Sequence, residues 1–61
     1  MDTRYEVISG STIFYDGIDR MEALRTFRRE CVRHLNAHVA ISFYADGVLI
    51  NRQEPAIKEV A

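Results

Sequence analysis

The dipeptide Asp46-Gly47, set within FYADGVLI at residues 43–50, constrains this chain more than any other feature. A two-residue type I′ hairpin turn needs positive φ at both central positions, and Asp-Gly is one of the few pairs that tolerates it. The stretch is therefore expected to fold back on itself, with Ala45 opposite Val48, Tyr44 opposite Leu49 and Phe43 opposite Ile50. Opposed residues of an antiparallel pair share a face, so this register makes both faces apolar. One face can meet the chain's own core. The other, carrying Tyr44 and Leu49, needs a different cover.

The length sharpens that need. A chain of 61 residues forms a single domain over 1–61, and a domain this short buries only roughly 60% of the surface its unfolded chain exposes. Cys31 is the one cysteine, so no internal disulfide can help, and together with His34 and His38 it has no zinc-type spacing. Self-association remains as a source of stability. Apolar residues at 48% against charged residues at 28% place the chain among folded proteins rather than disordered segments.

Two further elements precede the Asp-Gly hairpin. RYEVISGSTIFY, residues 4–15, is rich in β-branched and aromatic residues and is interrupted by Ser9-Gly10-Ser11, which predicts a first hairpin. A type II′ turn at Gly10-Ser11 sets Ile8 against Ile13 and Val7 against Phe14, apolar on apolar; a turn at Ser9-Gly10 would exchange the faces. A helix over residues 20–35 follows. Asp19 is its N-cap, with Glu22 completing a capping box and Ile18 and Ala23 a hydrophobic staple. Met21, Leu24, Phe27, Cys31 and Leu35 form its apolar stripe, Ala23 and Val32 lie at the margins, and Asn36 suits a left-handed stop. The second hairpin spans residues 38–53, and Pro55 opens a short tail over 55–61 in which Ile57 and Val60 either dock on the sheet or fray.

The order ββαββ predicts an α+β fold: a four-stranded antiparallel sheet with one helix packed on one face. The expected core joins the helical stripe to Val7, Phe14, Val39, Ile41, Phe43, Ile50 and Val48. The opposite face would carry Ile8, Ile13, Tyr15, Tyr44 and Leu49, beside Glu6, Ser42 and Asn51. Each buried Leu, Ile or aromatic side chain is worth roughly 1.5–3 kcal/mol. These five residues are accordingly the candidate self-association surface of a homodimer, with the tyrosines at a boundary where one end of the ring is dry and the other wet.

Arg25, Arg29 and Arg33 recur one turn apart on the outer side of the predicted helix, with Arg28 beside them. Guanidinium forks suit carboxylate and phosphate alike, so the row is the candidate partner-binding surface, for a protein first and nucleic acid second. Glu22 and Glu30 could instead serve the same arginines as intrahelical partners. A base-stacking platform built from both tyrosines and arginines is disfavoured, because the two sets belong to opposite layers. Cys31 and His34, three apart, make a poor catalytic pair: the thiol lies within the apolar stripe and no third group orients them. Glu6, Asp16 and Asp19 match no metal loop or acid/base pair, and Gly10, Gly17 and Gly47 are isolated turn glycines. The expectation is a protein that is not an enzyme and has no cofactor or metal.

Over residues 4–54, the hairpin, capped amphipathic helix and Asp-Gly hairpin resemble the very small accessory proteins encoded by phages and mobile elements, including anti-CRISPR and similar host-factor inhibitors. The resemblance is architectural and implies stoichiometric binding to a host protein or protein complex, within an infected cell. The formal charge of −1 and the lack of a long apolar run in the first 23 residues lead to the expectation of a soluble, cytoplasmic protein with no membrane partner.

Overall fold

The computed structural model describes residues 2–57. Strands β1 (Tyr5–Ser9) and β2 (Thr12–Gly17) form the first hairpin, α1 (Arg20–Val32) and a 3₁₀ turn (His34–Asn36) follow, and β3 (Ile41–Ala45) and β4 (Val48–Gln53) form the second hairpin. The four strands make one antiparallel sheet in the order β2-β1-β3-β4, with α1 across one face. The α+β arrangement read from the sequence is the one observed. The role expected of Val60 falls on a residue outside those described. Ile57 is tied back to the chain, its N–H donating to the Ala37 carbonyl at 2.8 Å.

Both turns take the form their residues require. Asp46 and Gly47 have φ of 49° and 78°, as a type I′ turn demands, while in the first turn Gly10 has φ 57° and Ser11 does not share the positive sign. Asp46 also joins β3 to the start of β1: its N–H donates to the Arg4 carbonyl at 2.8 Å, and the Arg4 N–H donates to its Oδ1 at 2.9 Å.

Beyond each turn the register slips once. Ile8 pairs with Ile13 as expected, yet Val7 pairs with Tyr15, so Phe14 is an inserted residue. Tyr44 pairs with Leu49 as expected, yet Phe43 pairs with Asn51, so Ile50 is inserted at the equivalent place. A bulge adds a residue to one strand and re-aims those after it. The two hairpins are thus near copies, related by a pseudo-two-fold axis through the central Val7–Phe43 pair. No sequence similarity between them announces this repeat.

The bulges correct the expected faces. Tyr15, opposite Val7, lies on the helix side and packs against the core with Phe14. Its hydroxyl accepts from the Asp19 N–H at 3.0 Å, supplying the contact that the expected capping box assigned to Glu22. The Asp19 cap itself is present, with Oδ1 accepting from the Glu22 N–H at 3.1 Å. Asn51 likewise joins the helix side, opposite Phe43.

The core is Val7, Ala23, Phe27, Ile41 and Phe43. Phe43 meets Phe27 edge-on at 5.7 Å between ring centroids, and Tyr5 at 6.0 Å. The helix buries Ala23, Thr26, Phe27 and Glu30, a stripe rotated by roughly 100° from the more hydrophobic one expected. Small side chains at 23 and 26 let the helix approach the sheet closely, and the Thr26 hydroxyl is satisfied within α1 by the Glu22 carbonyl at 2.8 Å. Leu24 and Cys31 reach only the core's margin, while Met21 and Leu35 are 58% and 79% exposed. Val39, Val48 and Ile50, expected in the core, are also largely exposed. The helix packs on β1, β2 and β3, so β4 lies beyond its cover with all six residues exposed.

Tyr15→Phe should lower unfolding stability by about 1 kcal/mol, because the Asp19 N–H loses its protein acceptor. Urea titration followed by far-UV circular dichroism measures the change, and an unshifted midpoint would show that the hydroxyl is dispensable.

Candidate interaction surfaces

Four of the five apolar residues expected on the outer face are there. Ile13 and Ile8 sit side by side on β2 and β1, Tyr44 and Leu49 on β3 and β4. Because Ile8 pairs with Ser42 and Tyr44 with Glu6, the two pairs meet diagonally and form one band across all four strands. The band is symmetric about the Val7–Phe43 pair. Its ends, Ile13 and Leu49, are 58% and 49% exposed. Tyr15 is not part of it, for the reason the bulge gives. Beyond the band, Asp16 carries a bidentate ion pair with Arg4, with the guanidinium Nε donating at 2.6 Å to one carboxylate oxygen. Hydrogen bonds from Arg4 hold the Asp16 carboxyl below its usual range.

The arginine row does not survive as a ladder. The helix ends at Val32, and Arg33 is already extended, with φ −74° and ψ 132°. Glu30 is the cause. Its carboxylate is buried, and the chain folds back around it: Asn36 Nδ2 donates to Oε1 at 2.9 Å and to the Glu30 carbonyl at 3.0 Å. On the other oxygen, Oε2 accepts from Arg29 Nε at 3.1 Å and from Arg33 at 3.4 Å. A buried acid is tolerated only when its oxygens are satisfied, and these are. Asn36 therefore stops the helix through its side chain rather than by a left-handed backbone. Arg25 lies 3.7 Å from Glu22. Among the described residues, Arg28 and Arg20 pair with no carboxylate.

Burial alone would push the Glu30 carboxyl up, but the bonds from Asn36, Arg29 and Arg33 outweigh it and hold it below its ordinary value. The Cys31 thiol moves the other way, raised by burial and by the neighbouring Glu30 charge, which disfavours the thiolate. His34, beside it in sequence, is exposed in the 3₁₀ turn. Among the described residues no three His, Cys, Asp or Glu side chains converge as a metal site needs, and no helix is long and apolar enough to cross a membrane.

Sequence reasoning missed Glu30 as a buried anchor. The signal was its spacing: Glu30 stands seven residues after Ala23 and four after Thr26, on the stripe of small residues rather than the greasiest one. Comparison with protein-family models, curated proteins and solved structures finds no match to this chain.

Glu30→Gln should cost about 2 kcal/mol at neutral pH, since charge-assisted bonds are the stronger class. A depressed folded pKa stabilises fully above the unfolded value of about 4.3 and ceases to as pH falls through the folded value. The gap between wild type and Glu30→Gln in urea unfolding should therefore narrow below about pH 4. Asp16 titrates in both proteins and cancels. A gap constant from pH 7 down to about pH 3 would refute the assignment.

Proposed function

We propose that this chain is a non-catalytic protein-interaction module that associates with a second copy of itself through the outer face of its sheet. The observation that carries this reading is the diagonal band Ile13–Ile8–Tyr44–Leu49, which spans all four strands on the face away from α1. Its two halves are equivalent, so an isologous pair sets the Ile8/Ile13 half of one copy against the Tyr44/Leu49 half of the other. Burying a half-exposed Ile or Leu at each end gains on the order of 1 kcal/mol apiece, which matters to a domain of marginal size. Tyr44 pairs with Glu6 across the two central strands, so the apolar band has polar neighbours beside it.

Stoichiometric binding to another protein, the mode implied by the resemblance to small phage accessory proteins, needs no reactive centre. A nucleic-acid regulator reading the arginine row is the weaker alternative. Two of its four arginines, Arg29 and Arg33, are engaged by Glu30, and the helix that would carry the ladder ends before Arg33.

Sedimentation at concentrations up to about 1 mM, where a contact worth about 4 kcal/mol is half formed, should show a dimer. Tyr44→Asp combined with Leu49→Asp should give the monomer with an unchanged far-UV spectrum. A wild-type monomer throughout that range would remove the self-association reading.

A further inference from the structure

The other layer holds a second apolar surface, independent of self-association. Between α1 and β4 runs an open groove, formed by two adjoining hollows of about 230 and 480 Å³ that share Leu24, Phe27 and Asn51. Cys31 and Val32 continue its α1 wall and Ile50 lies on its β4 floor. Its charge is one-sided: among the described residues the lining includes Arg20 and Arg28 and no carboxylate.

We propose that this groove is the seat for an acidic amphipathic helix of a partner protein. Three observations converge on that occupant. First, the hairpins are near copies, and α1 covers the bulge at Phe14 and Tyr15, while the equivalent bulge at Ile50 and Asn51 lies in the open groove. Second, α1 spans β1, β2 and β3 and so centres on β1, two strand spacings from β4. That is about 9–10 Å, the separation at which two packed helices lie side by side. Third, Arg20, Leu24 and Arg28 recur one turn apart along the groove wall, with about 12 Å of helix rise between the two arginines, neither of which pairs with a carboxylate among the described residues. Carboxylates two turns apart on the flank of an incoming helix match that spacing, and its apolar face meets Leu24, Val32 and Ile50.

A second copy is the poorer occupant. Asp19 to Leu35 carries five arginines against three acids, so its helix would bring positive charge to a positive rim.

The test uses fluorescence anisotropy with the full chain and a small set of synthetic amphipathic helical peptides. Each has Glu two turns apart beside a Leu, Ile or Met face, and each has a Lys-substituted counterpart. The acidic peptides should bind saturably and at least about tenfold more tightly than the basic ones. Arg20→Glu with Arg28→Glu should reverse that order, and Ile50→Asp should weaken binding at least about tenfold with the far-UV spectrum preserved. Leu49→Asp, on the opposite side of β4, should leave peptide binding intact, so loss of the dimer and loss of the groove are separable. The proposal is overturned if no peptide binds up to about 1 mM, or if acidic and basic peptides bind equally. A dimer dissociated by Ile50→Asp but not by Leu49→Asp would overturn it too, since the groove would then belong to a second copy.

Discussion

A helix with its side chains is about 10–12 Å across, whereas the outermost strands of a four-stranded sheet lie about 14 Å apart, so one helix cannot roof the whole face. Everything about the surface of this protein depends on which strands are left out. The helix settles over β2, β1 and β3 because the bulge at Phe14 turns Tyr15 toward it, and the Tyr15 hydroxyl then takes the Asp19 N–H at the helix start. The second hairpin has an equivalent bulge but carries Ile50 and Asn51 there. β4 is therefore the strand left uncovered.

Glu30 fixes the other end. Placing a carboxylate at the helix–sheet boundary requires donors on every side, and they come from Arg29, Arg33 and Asn36. Arg33, three residues on, could pair with Glu30 from within a helix, but Asn36, six residues on, reaches back only because the helix has ended, and beyond that end Val32 and Leu35 stand outward at 83% and 79% exposure. The result is a helix rotated onto its small residues, with half of its apolar stripe facing the open groove. A polar anchor has displaced grease from the core, and what it displaces becomes surface.

The two faces of the sheet consequently differ in kind. The outer one is symmetric, apolar along a diagonal and flanked by an exposed ion pair, features that suit contact between like surfaces. The helix side is asymmetric, grooved and one-sided in charge. A chain of 61 residues thus presents two chemically distinct surfaces, one on each side of its sheet.

Local chemistry settled much of this in advance: Asp46-Gly47 and Gly10-Ser11 define their turns, Asp19 starts the helix, and the alternation outward from each turn places Ile8, Ile13, Tyr44 and Leu49 together. These are interactions among near neighbours, where backbone φ and short-range hydrogen bonds decide. The faces of Tyr15 and Asn51, the rotation of α1 and the end of the helix at Val32 were not legible in the same way. A bulge is chosen by what the strand packs against, and a buried acid is affordable only once donors distant in the fold close around it. Sequence hydrophobicity ranks residues by their taste for water, but only the assembled layers decide which of them the single helix has room to cover.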